Sequence, residues 1–212
     1  MKRMTMFLFV CLMGLWATAA FADTNAAEKL VRDTGQKVLQ ILSDNKDKIK
    51  DDPQFLYKLV NEVIVPNVDF TAMSKLVLAK YWRTANDAQR QRFVAEFKGM
   101  LVRTYTNSLS EYAGNTDIHY LKSVDRNDGN YVTVYTEIVQ SGKTNIPVDY
   151  SLHQTDAGYK IYDVVIEGLS LVKNYRTSFA KQIADTSLDA LIEDMAQKNA
   201  QGQVANAQSS NG

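Results

Sequence analysis

The sequence predicts an α+β protein, a curved four-stranded antiparallel sheet wrapped by five to six helices with an apolar pocket between them. Three observations lead there. Between residues 118 and 167 the chain is rich in β-branched residues and tyrosine, cut into four segments by short turn triplets. On both sides of that region apolar residues return at the three-to-four spacing of amphipathic helices. The helices also outnumber what one buried sheet face needs for cover, and a curved sheet enclosed by the surplus leaves an apolar space.

The first 22 residues stand apart from this pattern. Met1-Lys2-Arg3 is a basic start, Met6 to Trp16 is an apolar run broken only by Gly14, and Ala20-Phe21-Ala22 offers a small-x-small cleavage site. These are the parts of a secretory signal peptide, over 1–22, and the run is too short to span a bilayer. Cys11, the only cysteine, leaves with it, and so do Lys2 and Arg3, so 24 cations become 22 against 24 acids over residues 23–212. A thiol-free, slightly acidic chain carries no disulfide framework and no cysteine metal site. It also lacks the basic excess that nucleic-acid binding requires, so no nucleic-acid partner is expected.

Helical spacing runs from Ala26 to Leu42, through Leu30, Val31, Val38 and Ile41. Asn45 to Lys50 reads as a solvated connection. Asp52 caps a second helix with Pro53 in its first turn; Phe55, Leu56, Leu59, Val60 and Val63 form its stripe, and Pro66 ends it. A short helix is expected from Thr71 to about Leu78. Thr84-Ala85-Asn86-Asp87 has capping-box spacing and opens a long helix to about Tyr112, stopped by Gly114.

Four strands follow, at 118–124, 130–138, 144–153 and 159–167, joined through Asn127-Asp128-Gly129, Ser141-Gly142-Lys143 and Asp156-Ala157-Gly158. In the third, Ile146, Val148, Tyr150 and Leu152 alternate with Pro147, Asp149, Ser151 and His153, which gives one buried face and one wet face. Pro147 points to an edge position or a bulge. Ser170 reads as the N-cap of a helix carrying Val172, Tyr175, Phe179 and Ile183; Ser187 caps a last helix with Leu188, Leu191, Ile192 and Met195. The chain thus divides into 1–22, a single domain at 23–196, and a polar tail at 197–212 too poor in apolar residues to pack, expected to be disordered.

Catalytic groups are scarce. His119 and His153 sit on different strands without metal-ligand spacing, and Gly168-Leu169-Ser170-Leu171-Val172 breaks the G-x-S-x-G pattern at its last position. Asp125 to Gly129 lacks calcium-loop spacing. Asp163 and Glu167 share a strand and form the one conceivable acid/base pair, against the plainer reading that they cap a helix or pair with arginine. No catalytic residue, metal or cofactor is therefore expected.

The run Tyr162-Asp163-Val164-Val165-Ile166-Glu167-Gly168-Leu169-Ser170-Leu171-Val172, followed by Asn174-Tyr175-Arg176, resembles the signature of the MlaC family of periplasmic phospholipid-binding proteins, also known as toluene-tolerance proteins. Val65-Pro66-Asn67-Val68-Asp69-Phe70 and the series Gln89-Arg90, Phe93, Phe97, Leu101, Tyr105 carry the same resemblance, in the same order, over almost the whole exported chain. The resemblance implies an NTF2/cystatin-like fold with acyl chains held in an internal pocket, no enzymatic activity, and a periplasmic carrier acting as a monomer. Such a carrier shuttles lipid between an outer-membrane lipoprotein complex and an inner-membrane ABC transporter with a lipid-binding domain, and so maintains outer-membrane lipid asymmetry. Strand parity then selects the lipid-lining residues: Tyr105 and Leu109 on the long helix, Val132, Val134, Val148, Tyr150 and Leu152 in the sheet, and Val164, Ile166, Leu169 and Leu171 near the signature. An isomerase or dehydratase using Asp163 or Glu167, and a chaperone for hydrophobic segments, are the competing readings.

Overall fold

Tight turns at left-handed backbone positions fold the middle of the chain into a meander. Asn127, Asp128 and Gly129 have φ of 66°, 51° and 80°, Gly142 and Gly158 have 77° and 97°, and Glu167-Gly168 have 50° and 81°. They connect β1 (Thr116–Arg126), β2 (Tyr131–Gln140), β3 (Ile146–Thr155), β4 (Gly158–Ile166) and β5 (Leu169–Ser170). All neighbours are antiparallel in the order β1-β2-β3-β4-β5. The sheet therefore has five strands rather than four. The added strand is two residues long, because the Glu167-Gly168 turn returns the chain for only the Val165–Ser170 and Ile166–Leu169 pairs before a helix begins.

The computed structural model describes residues 24–209, and the expected signal peptide lies outside the described residues. Eight α-helices occur among those described: α1 (Thr24–Asp44), α2 (Lys46–Asp51), α3 (Pro53–Leu59), α4 (Phe70–Leu78), α5 (Lys80–Thr84), α6 (Asp87–Thr106), α7 (Leu171–Asp185) and α8 (Leu188–Ser209). The surplus over five to six comes from short pieces. The lysine-rich stretch taken for a connection forms α2, which buries Ile49, and α5 follows a break at Ala79, whose φ is 48°. After α3 the helix widens into a π-turn at Val60–Ile64 and tightens to a 3₁₀ turn at Val65–Asn67. The long helix is capped by Asn86 rather than Thr84. Asn86 Oδ1 accepts from the Gln89 N–H at 2.9 Å and Gln89 Oε1 accepts from the Asn86 N–H at 3.0 Å. This helix leaves α-geometry at Thr106 and continues as a 3₁₀ helix over Asn107–Tyr112.

Two other expectations fail for local reasons. Pro147 stands on an interior strand, not an edge. It sits one residue beyond the last β3–β4 pair, Val148–Ile166, so the donor that it lacks has no ladder partner there. The polar stretch from Gln197 continues α8 to Ser209 instead of being disordered along its whole length, and Asn199 is buried against α6. Small and amide side chains suffice at that seam because the two helices meet through glycine.

The core has three parts. Phe93 and Phe97 stack at 5.6 Å and meet Phe179 edge-on, at the centre of a cluster formed by α4, α6, α7 and α8. Val132, Val134, Leu152 and Ile161 are covered by Ala27 and Val31 of α1. Glu28 fastens α1 to β1: it accepts from Arg32 at 2.6 Å and from the Ser123 hydroxyl at 2.9 Å, which holds its carboxyl below the usual range. The third part joins α1, α2 and α3 through Leu42, Ile49, Leu56 and Leu59.

Candidate functional site

One face of the sheet carries Ile138 on β2, Ile146, Val148 and Tyr150 on β3, and Val164 and Ile166 on β4. The ladder aligns them as the pairs Ile138–Ile146, Val148–Ile166 and Tyr150–Val164. Opposite them stand Leu101, Val102 and Tyr105 of α6 with Leu109 and Tyr112 of its 3₁₀ continuation; Val60, Ile64 and Val65 close one end, and Val68, Phe70 and Met73 another. A cavity of about 290 Å³ lies between. Val60 and Ile64, four residues apart, share a face of any helix; the π-turn adds Val65, because its wider phase brings a residue five positions on round to the side of Val60.

The lining holds no Asp, Glu, Lys, Arg or His. Its polar groups are neutral, and one of them is already satisfied within its own helix. Thr106 donates its hydroxyl to the Val102 carbonyl at 2.5 Å. Burial first, and then the neighbouring Tyr105, raises the Tyr175 hydroxyl. Burial pushes the Tyr150 hydroxyl up to about 12 and also raises Tyr112. A second apolar space of about 160 Å³ lies under α1, lined by Val31, Gly35, Val38 and Leu42. It shares Ile64, Leu109, Tyr112, Ile138 and Tyr150 with the first. Gly35 lets β1 approach closely beneath it: a Cβ there would stand 2.8 Å from Ile118 Cδ1 and 2.9 Å from the Tyr120 hydroxyl oxygen, and those side-chain ends would have to shift.

Of the residues chosen by parity, Tyr105, Leu109, Val148, Tyr150, Val164, Ile166 and Leu171 come together around the larger cavity. Val132, Val134 and Leu152 do not. They occupy the same sheet face, but further along their strands, where α1 lies directly on them and leaves no space. Leu169 is 73% exposed at the tip of the β4–β5 turn. Alternation along a strand identifies a face; it cannot say which length of that face a helix covers. Ile64, Phe70, Met73 and Tyr112 were missed. Their signal was the π-turn, which has no simple pattern, and the position of Phe70 at the end of the Val65–Phe70 motif.

The conceivable acid/base pair lies elsewhere. Asp163 Oδ2 accepts from the Ser170 hydroxyl and Oδ1 from the Val172 N–H, and Glu167 occupies a turn; neither lines the cavity. His153 Nε2 stands 3.0 Å from Asp69 Oδ2, between Tyr131 and Tyr162. Asp69 also caps α4 through the Ala72 N–H at 2.8 Å, so this pair joins the sheet to the helix that carries Phe70 and Met73. Among the described residues no three His, Cys, Asp or Glu side chains gather as metal ligands, and no helix is long and apolar enough to cross a membrane.

The MlaC protein family matches residues 32–197. Toluene tolerance protein ttg2D of Pseudomonas putida is 30% identical over 181 residues, covering 84% of this chain and 81% of that protein. The intermembrane phospholipid transport system binding protein MlaC of Haemophilus influenzae is 24% identical over 208 residues, 97% of this chain and 96% of its own. A solved structure of the phospholipid-binding protein from Ralstonia solanacearum, in complex with a phospholipid, superposes with a TM-score of 0.75 at 27% identity, over 84% of this chain and 98% of that one.

Proposed function

This chain belongs to the MlaC family, and we propose that it is a periplasmic phospholipid carrier that hides acyl chains in the cavity between sheet and helices. The observation that carries this reading is the cavity wall: some twenty residues without one charged side chain. Moving a diacyl lipid through water exposes about thirty methylenes at about 0.8 kcal/mol each, a gross penalty on the order of 20 kcal/mol that a deep apolar cavity relieves. With Tyr112 and Tyr150 held neutral and the Thr106 hydroxyl turned back on the backbone, the wall offers no charge to a polar ligand. The space under α1 adds depth beyond the shared residues.

On this reading Tyr105, Leu109, Val148, Tyr150, Val164, Ile166 and Leu171 contact lipid, the fold is NTF2/cystatin-like, and the protein is a monomer without catalytic activity or cofactor. Residues 1–22 direct export and are removed. Lipid passes between an outer-membrane lipoprotein complex and an inner-membrane ABC transporter bearing a lipid-binding domain, which keeps the outer membrane asymmetric. Kinship with the transport-system binding protein and the phospholipid-bound homologue supports this role. Organic extraction of the exported protein, purified from the periplasm and analysed by mass spectrometry, tests it. Phospholipid in stoichiometric amount is expected; protein that is consistently lipid-free would overturn the reading.

A further inference from the structure

A third space, of about 370 Å³, lies between α3, α6 and α8, and unlike the apolar cavity it has charged and amide side chains in its lining. Tyr57 and Asn61 line one side, Lys98, Gly99 and Arg103 another, and Asn199 and Gly202 the third. Among the described residues four buried side-chain polar atoms have no hydrogen-bond partner, and three of them belong to residues that line this one space: Tyr57 Oη, Arg103 Nε and Asn199 Oδ1. Native folds seldom leave buried polar atoms unpaired, and a cluster of three calls for something that pairs with all of them.

The backbone is built to bring these groups together. A Cβ on Gly99 would stand 2.9 Å from Asn199 Nδ2, and one on Gly202 would collide with the Arg103 side chain. The two glycines therefore let α8 approach α6 closely enough for Asn199 and Arg103 to reach the same space. Asn199 is oriented by Glu96, whose backbone carbonyl and carboxylate accept its Nδ2–H bonds at 3.0 and 2.8 Å. Turning the amide over would set oxygen against two oxygens, so Oδ1 is left as the unpaired acceptor. Neither Lys98 nor Arg103 forms an ion pair among the described residues. Lys98 Nζ instead stands 5.9 Å from the Phe70 ring centroid.

Two cations, a phenolic donor and a single acceptor have a chemical complement. We propose that this space is an oxyanion site for a phosphate-type group. Arg103 and Lys98 neutralise the anion, the Arg103 Nε–H and the Tyr57 hydroxyl donate to its oxygens, and Asn199 Oδ1 accepts from an O–H or N–H carried by the ligand. The group has two possible sources. Val102 borders both this space and the apolar cavity, so a lipid headgroup is one and a free phosphate is the other. The headgroup source rests on the carrier reading; the free-anion source does not.

The test uses the exported protein as purified, in phosphate-free buffer, with Y57F and R103Q variants. Y57F removes only an unpaired hydroxyl and should melt no lower than the parent, so it stays informative even where R103Q folds poorly. Inorganic phosphate titrated by calorimetry is expected to saturate at one site, with affinity lowered about tenfold by R103Q and severalfold by Y57F. Sulfate, which has no O–H for Asn199, should bind more weakly. If the headgroup is the occupant, phosphate gives no heat, and the ³¹P resonance of the bound phospholipid instead moves in both variants. The proposal is overturned if phosphate shows no saturable binding and Y57F leaves the ³¹P spectrum unchanged; the space then holds water. Protein that lacks lipid yet binds phosphate would sink the carrier reading and leave this site standing.

Discussion

Asp163 accepts the Ser170 hydroxyl at 2.6 Å and the Val172 N–H at 3.0 Å, while Ser170 Oγ accepts from the Lys173 N–H at 3.0 Å. One carboxylate on β4 thus completes the cap of α7 across the β4–β5 turn, and the signature run closes a helix start. Asp163→Ala should destabilise the protein by about 2–3 kcal/mol, from two lost hydrogen bonds to a charged acceptor. Ser170→Ala should cost about 1 kcal/mol. The two effects should be non-additive, since the groups share a bond. Urea unfolding checks this. An Asp163→Ala protein of parental stability would instead return the carboxylate to consideration as a chemical group.

Leu152 and Val164 share a sheet face and differ in what covers them. Leu152 is fully buried beneath α1, whereas Val164 opens on the cavity. Leu152→Ala should therefore cost about 2–5 kcal/mol in denaturant unfolding and leave the lipid recovered per folded molecule unchanged. Val164→Trp should do the reverse, keeping the protein folded while filling the space and lowering extracted phospholipid severalfold. Equal lipid content in Val164→Trp would mean that acyl chains do not run past this strand.

The meander and the main helices were legible because turn residues and periodicity are local: Asn127-Asp128-Gly129 needs left-handed backbone whatever surrounds it. Parity along β3 likewise identified the inward face. What parity could not reveal was the length of that face taken by α1, and so Val132, Val134 and Leu152 were grouped with residues that line space. The π-turn at Val60–Ile64 and the reach of α8 past Gln197 were hidden for a related reason. Both depend on tertiary contacts, the second on Asn199 meeting Glu96 more than a hundred residues earlier, and no local pattern encodes such a meeting.

That meeting gives a prediction about where the domain ends. A chain terminated after Ala196 loses Asn199 and its two bonds to Glu96, and leaves Gly99 facing an empty groove. Urea unfolding of the truncated protein should show a loss of about 1–3 kcal/mol relative to the full chain. Asn199→Ala in the full chain should reproduce much of it. A truncation without effect would support residue 196 as the end of the domain.

Tyr150 supplies a pH dependence whose sign follows from burial. Its hydroxyl titrates near 10 when exposed and is pushed up to about 12 in the fold. Between those values the unfolded chain releases a proton that the folded chain keeps. The associated stability is whole below pH 10 and is lost as pH rises through 12, on the order of 3 kcal/mol in all. Burial shifts Tyr112, Tyr120, Tyr162 and Tyr175 in the same direction, so the parent should lose stability steeply in alkali. Unfolding measured from about pH 9 to 12 should give a shallower decline for Tyr150→Phe than for the parent, and equal slopes would show that Tyr150 is not held neutral by its surroundings. Because Tyr150 borders both apolar spaces, an acyl chain lying against it excludes further water. Lipid-loaded protein should therefore keep this hydroxyl protonated to higher pH than delipidated protein, read as tyrosinate absorbance, and lipid should be released as the phenol ionises.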